Sequence, residues 1–293
     1  MKIVRYEAAG GPRLGAWAAG RIQPLPAASL PELLARFEAT GKLPAPDASA
    51  AVAAESVRLL APVQPPRNLI CVGWNYLKHY DESKGKREGQ EVELPDHPTL
   101  FTKLPTTMAG PHDDLPLHEA YTRKLDWEVE LAVVIGKGGR DIPAADALSH
   151  VFGYTVANDL SARELQRAHG AQWFKGKSLD ATCPLGPVLV TADEIPDPQG
   201  LALACRVNGV TMQEGHTSRQ IFPVARIIAE LSAGLTLLPG DVILTGTPEG
   251  VGAARTPPVF LRDGDVVECE VEGIGMLRNT VRAGLLHATA PAA

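Results

Sequence analysis

The chain of 293 residues has only four cysteines, Cys71, Cys183, Cys205 and Cys269, and none of them forms a C-x-x-C pair. Paired-cysteine zinc sites and a disulfide framework are thereby excluded, and the four read as scattered reduced thiols. An excess of positive charge is also missing: 28 Lys and Arg stand against 34 Asp and Glu, a net charge of −6. Nucleic acid is therefore not expected as a bulk electrostatic partner, and an anionic substrate needs a local cationic site. No window reaches the ~20 apolar residues of a membrane span. The start, Met1-Lys2-Ile3-Val4-Arg5-Tyr6, has no apolar signal core. No membrane partner and a cytoplasmic location are the resulting expectations. No internal repeat is visible.

Two nucleotide signatures fail as well. Phe174-Lys175-Gly176-Lys177-Ser178 imitates the end of a P-loop, but the required glycine at 171 is Ala171 and Gly170 lies one place too far. Trp173 and Phe174 also fill the loop that should cradle phosphate. A buried lysine beside a metal site is the reading left for Lys177. Leu244-Thr245-Gly246-Thr247-Pro248-Glu249-Gly250-Val251-Gly252 is a strand running into a glycine-rich turn. It lacks dinucleotide-fingerprint spacing, so NAD is not expected, although such a loop can bring backbone N–H groups to an anion.

What is present is an ordinary globular composition, 45% hydrophobic and 21% charged. Residues 1–66 read as a small leading domain. It has strands at 3–6 and 14–17, and a capping box Ser29-Leu30-Pro31-Glu32 opening a helix over 33–38 that Gly41 ends. Pro, Ala and Gly then dominate up to Val63-Gln64-Pro65-Pro66, where we place a boundary. Residues 67–293 form the main domain. Strands are expected at 68–73, 152–157, 188–191, 201–208, 242–245, 266–271 and 276–281. Helices are expected at 143–150, from a capping box at Ser161 to His169, and at 221–232. Strands outnumber helices without alternating with them, which gives a strand-rich α+β class. The polar stretch 78–96 reads as a lid or as a solvated insertion.

Chemistry concentrates in Asp126-Trp127-Glu128-Val129-Glu130-Leu131-Ala132-Val133-Val134-Ile135-Gly136. The run after Glu130 is that of a strand buried on both faces, and residues i and i+2 share a side. Glu128 and Glu130 are thus adjacent carboxylates at the mouth of a core strand. Their repulsion is relieved most simply by a divalent cation with hard oxygen ligands: Mg²⁺ first, otherwise Mn²⁺ or Ca²⁺. Glu-x-Glu is equally at home on an exposed strand face, as in the alternating Val267-Glu268-Cys269-Glu270-Val271-Glu272, and the residues alone leave both readings open. Asp159, after a strand and before a helix, suits a ligand or a cap. Arg163 and Gln166 share a helix face and suit an anion or solvent. If 77–82 is helical, His79 and Glu82 face each other as a general base and its orienting carboxylate.

In order along the chain, Gly73-Trp74-Asn75-Tyr76 with His79 and Glu82, Asp126-Trp127-Glu128-Val129-Glu130, Asn158-Asp159-Leu160-Ser161-Ala162-Arg163, Phe174-Lys175-Gly176-Lys177-Ser178-Leu179-Asp180 and 239–252 resemble the fumarylacetoacetate hydrolase family. The resemblance runs from about 67 to 282. It implies a mixed β-sandwich or β-roll catalytic domain, usually a homodimer. It also implies a divalent metal held by Glu128, Glu130 and Asp159, and a small 2-oxo or 1,3-dicarbonyl acid as substrate. By the same resemblance His79, backed by Glu82, activates water. Lys177 and the metal stabilise an enolate, and Tyr76, Arg163, Gln166 and Thr247 line the substrate pocket. The first functional expectation is a hydrolase cleaving a C–C bond of an acylpyruvate-like acid. The alternative is an isomerase or decarboxylase of 2-hydroxy-diene-dioates or oxo-tricarboxylates in aromatic catabolism, with a lyase or dehydratase on a sugar-derived oxo acid as a variant. Intact acid–base groups count against a non-catalytic metal binder.

Overall fold

The computed structural model describes residues 1–86, 93–170 and 172–285. The leading segment supplies β1 (Lys2–Ala8), β2 (Gly11–Ala18), β3 (Arg21–Pro24) and α1 (Leu30–Thr40). Ser29 caps α1 by accepting from the Glu32 N–H at 3.3 Å, and Gly41 ends it in the left-handed region at φ 66°. The following elements are β4 (Leu69–Gly73), α2 (Leu77–Glu82), β5 (Thr99–Lys103), β6 (Val129–Ile135) and β7 (Val151–Asn158). Then come α3 (Arg163–Ala168), α4 (Phe174–Lys177), β8 (Cys183–Thr191), β9 (Ala202–Val207), β10 (Val210–His216) and α5 (Val224–Ser232). The chain closes with β11 (Val242–Leu244), β12 (Val266–Val271) and β13 (Gly275–Arg282).

One large mixed sheet runs in the order β3-β2-β1-β8-β7-β6-β11-β4-β5, flanked and extended by short two-residue strands. The leading segment is thus sewn into the same sheet through β1, which pairs antiparallel with β8. A smaller sheet, β10-β9-β12-β13, packs on the large one. β6 faces two cores. Val129, Leu131, Val133 and Ile135 enter the core between the sheets with Leu203, Cys205 and Val267. Ala132 and Val134 enter a second core with Ile3, Leu14, Leu30 and Leu33 of the leading segment. That is the two-sided burial its unbroken apolar run implies. β12 alternates instead, and its Glu268 and Glu270 face Arg278 and Arg206 at 3.3 and 2.9 Å.

β4 and β11 run parallel, whereas β6 runs antiparallel to both β11 and β7. The ends of β4, β11 and β7 and the start of β6 therefore lie at one end of the sheet, where the segments carrying the candidate chemistry emerge.

Three local expectations shift. Residues 147–150 form a single 3₁₀ turn where a longer helix was predicted. The last long helix starts at Val224, after Pro223. The helix predicted from a Ser161 cap starts at Arg163, with no side-chain cap. Ser161 pairs instead with Asp126 in a two-residue ladder and donates its hydroxyl to the Asp159 carbonyl at 3.0 Å, a tertiary pairing that overrides the local motif. Of the predicted 78–96 stretch, 87–92 lie outside the described residues; its first part is α2. All four cysteines are buried and unpaired. Among the described residues no helix is long and apolar enough to cross a membrane.

Candidate active site

Glu128, Glu130 and Asp159 come together, each offering an oxygen within 4.8 Å of the others, and all are buried. The β6–β7 ladder does the positioning. Glu130 sits opposite Ala157, the Glu128 N–H donates to Asn158 Oδ1 at 2.9 Å, and the Asp159 N–H donates to the Glu128 carbonyl at 2.9 Å. Lys177 bridges the cluster, its Nζ 2.7 Å from both Glu128 Oε2 and Asp159 Oδ2. It reaches that depth because α3 and α4 touch at Gly176, where a Cβ would lie 2.2 Å from the Gln166 nitrogen. This is the buried lysine left over from the rejected P-loop.

Two residues to which the sequence assigned no role complete the charge pattern. Lys103, closing β5, is fully buried with Nζ 2.8 Å from Asp159 Oδ1 and 3.1 Å from the Leu160 carbonyl. Asp126, also fully buried, accepts from Arg163 Nε at 2.8 Å and from the Gly252 and Ala253 N–H groups at 2.7 and 2.9 Å. Nothing in the sequence distinguishes Lys103 from a surface lysine, whereas Asp126 stands beside the Glu-x-Glu pair. Arg163 also meets Glu128 Oε1 at 2.7 Å and donates from Nη1 to Gln166 Oε1 at 3.0 Å.

Four buried carboxylates (Asp126, Glu128, Glu130, Asp159) thus face three cations (Lys103, Arg163, Lys177). The residual negative charge rests on Glu130. Among the described residues it has no ion-pair partner, and its Oε2 accepts from the Gly246 N–H at 2.6 Å. Burial, reinforced by Asp159 and Glu128, pushes the Glu130 carboxyl well above the usual carboxylate range. Burial alone would also raise Glu128, but Lys177 and Arg163 outweigh it and hold that carboxyl down at about 2. Lys177 is raised: burial opposes its charge, but Asp159 and Glu128 prevail. An all-oxygen donor set with one carboxylate lacking a counter-charge fits a hard divalent cation.

The expected dyad is formed. α2 sets His79 Nδ1 2.8 Å from Glu82 Oε1, and Glu82 Oε2 accepts from the Gly250 N–H at 2.8 Å. The glycine-rich loop does serve anions, but they are the protein's own carboxylates Glu130, Glu82 and Asp126.

The cleft has two continuous lobes. The inner lobe is lined by Glu128, Glu130, Lys177, Phe101 and Thr247. The outer lobe is lined by Lys86, Arg167 and Ala254. Trp74, His79, Arg163, Gln166 and Trp173 line both. Thr247 reaches the inner lobe with its hydroxyl engaged, donating to the Val129 carbonyl at 2.9 Å and accepting from Gln213 Nε2 at 2.8 Å. Tyr76 is not brought to the cleft: it is buried behind it, its backbone paired with Gln220. Burial, then the nearby Glu130, raises its hydroxyl pKa.

Comparison with known proteins adds four findings. The profile of the fumarylacetoacetate (FAA) hydrolase C-terminal family matches residues 68–282. The mitochondrial oxaloacetate tautomerase FAHD2A of Homo sapiens is 46% identical over 261 residues, 86% of this chain and 81% of that protein. Among solved structures, a fumarylacetoacetate hydrolase from psychrophilic Exiguobacterium antarcticum superposes with a TM-score of 0.84 at 45% identity, covering 97% of this chain and 99% of that one. A 2-hydroxyhepta-2,4-diene-1,7-dioate isomerase from Mycobacterium marinum gives a TM-score of 0.78 at 34% identity, covering 97% and 99%.

Proposed function

Because this chain belongs to the fumarylacetoacetate hydrolase family, we propose that it is a divalent-cation-dependent tautomerase of a 2-oxo dicarboxylic acid, moving a proton between the enol oxygen on C2 and the carbon C3. The observation that carries the reading is the His79–Glu82 pair, 2.8 Å apart, beside the buried Glu128, Glu130 and Asp159 cluster in one cleft. The order of the two sequence expectations is thereby reversed: isomerisation comes first because similar proteins carry the names oxaloacetate tautomerase and diene-dioate isomerase.

Glu128, Glu130 and Asp159 would hold the cation, Mg²⁺ or Mn²⁺ by donor chemistry, and when bound it would polarise the C2 oxygen and lower the cost of negative charge there. Lys177 adds a fixed positive charge beside that oxygen. With Nδ1 engaged by Glu82, His79 delivers the proton on Nε2 to C3 while the enol hydroxyl releases its proton to water, from which Nε2 is reprotonated, so that C2–C3 becomes single and C2–O double. Glu82 holds the ring and is itself steadied by Gly250. Trp74 and Trp173 keep bulk water from the carbanionic carbon. The same dyad suits water activation, which keeps C–C hydrolysis as the second reading.

The test follows loss of enol absorbance from enol-oxaloacetate and from an acylpyruvate with Mg²⁺ or Mn²⁺, with product analysis. An intact keto acid supports the tautomerase. Pyruvate plus a second acid gives hydrolysis, and carbon dioxide gives decarboxylation; either one without prior ketonisation overturns the proposal. His79→Asn should lower kcat by ~10²–10⁴-fold while Mn²⁺ binding by titration calorimetry stays within about twofold.

A further inference from the structure

We infer that Gln213 is a positioning residue for the carboxylate pair Glu128 and Glu130: with Thr247 it clamps the backbone of Val129 between them and so sets the cation affinity of the cluster. The inference rests on the reading of that cluster as a cation site given above. Glu128 and Glu130 flank Val129, where β6 begins. Along β6 the ladder with β11 covers only Ala132, Val133 and Val134, with one further bond from the Thr245 N–H to the Leu131 carbonyl at 3.1 Å. Past that point β11 has ended, and the backbone groups on that edge of β6 need other partners. Side chains supply them. The Val129 N–H donates to Gln213 Oε1 at 3.0 Å, and the Val129 carbonyl accepts from Thr247 Oγ1 at 2.9 Å.

The clamp closes on itself. Gln213 Nε2 donates to Thr247 Oγ1 and to the Pro248 carbonyl, both at 2.8 Å, so the amide that holds the Val129 N–H also holds the hydroxyl that serves its carbonyl. Gln213 is 1% exposed and Thr247 3%, so a bond lost there is not made up by solvent. Gln213 reaches this place from the other sheet. It lies on β10, the edge strand of the small sheet, where Cys205 pairs with Gln213 but Arg206 pairs with Thr211, leaving Met212 as an extra residue in the ladder. A bulge of this kind re-aims a side chain. Here it leaves Thr211 exposed and buries Gln213 against β6 and the glycine-rich loop. The Met212 carbonyl accepts from Arg255 Nη2 at 2.7 Å, which pins the bulge. Gln213 thus acts through the backbone, fixing the base from which two carboxylates leave one face of a strand. Groups that orient ligands without touching the ion govern metal affinity.

The experiment titrates EDTA-treated wild type, Gln213→Met, Thr247→Val and the double variant with Mn²⁺ by calorimetry, at a temperature below each melt read by circular dichroism. Gln213→Met keeps the length of the side chain and removes its hydrogen bonds; Thr247→Val keeps the shape and removes the hydroxyl. Each single variant should raise the Mn²⁺ Kd about 10- to 100-fold. The double variant should lose less than the product of the two single losses, because both act on one residue. Thr247→Ser, which keeps the hydroxyl, should bind Mn²⁺ close to wild type. A folded single variant whose Mn²⁺ Kd stays within about twofold of wild type, with only its melting temperature lowered, overturns the clamp, as do single losses that multiply in the double variant. Should Gln213→Met fail to fold, Thr247→Val against Thr247→Ser decides alone. A wild-type protein that takes up no Mn²⁺ overturns the cation reading itself and the clamp with it.

Discussion

Glu130 and Lys103 are buried charges of opposite sign whose removal should act in opposite directions. Among the described residues Glu130 is held against Asp159 and Glu128 with only a backbone donor, at 2.6 Å. Its raised pKa means that the charged form destabilises the folded state at neutral pH. Glu130→Gln keeps an acceptor for Gly246 and removes the repulsion. It should leave the EDTA-treated protein as stable or about 1–2 kcal/mol more stable in urea, while Mn²⁺ affinity falls by about 100-fold or more in calorimetric titration. Lys103→Met strips Asp159 of one of its two cations and should cost about 3–5 kcal/mol in the same urea assay. The two residues also differ in legibility. The strand period and the unbroken apolar run marked Glu128 and Glu130 as candidates, with a solvent-facing reading still open, and the failed P-loop spacing left Lys177 as a buried lysine. Lys103 closes a short strand that the sequence did not reveal, and its partner lies 56 positions on. A lysine of that kind becomes special only through tertiary pairing.

Among the elements, strands were read best where burial is one- or two-sided and regular, as in β6 and β12. β5 and β10 were missed because neither carries a clean apolar alternation: Thr99–Lys103 is TLFTK and Val210–His216 is VTMQEGH. Caps divide the same way. Ser29 caps α1 in an exposed stretch where nothing competes, whereas Ser161 is recruited by Asp126 and Asp159. The glycine-rich loop was legible as an anion-serving turn, but not as one serving internal carboxylates, since its partners come from two distant segments. Gly250 has φ 103°, and a Cβ there would lie 2.1 Å from the Met212 carbonyl. Gly250→Ala should therefore destabilise the protein by about 1–3 kcal/mol, read by denaturant unfolding. It should also lower kcat, because the Gly250 N–H steadies Glu82.

At the scale of the molecule, the family match starts at 68, next to the boundary placed after Pro66, yet β1 hydrogen-bonds to β8 and Ile3, Leu14, Leu30 and Leu33 fill a core with Ala132 and Val134. Composition marks a change along the chain; it carries no sign of a pairing between strands more than 180 residues apart. Deleting residues 1–66 should bare β8 and one core face. The remainder should aggregate or lose its cooperative melt by differential scanning calorimetry; a soluble remainder with an unchanged melt would contradict this account. One contact across the cleft has a dynamic corollary. The Gly250 amide meets Glu82 only while α2 lies against the loop. Were α2 to swing away, the Glu82 carboxylate and the half-buried Gly250 amide would have to trade that bond for water, so the helix and the loop are tied to each other before any substrate has arrived.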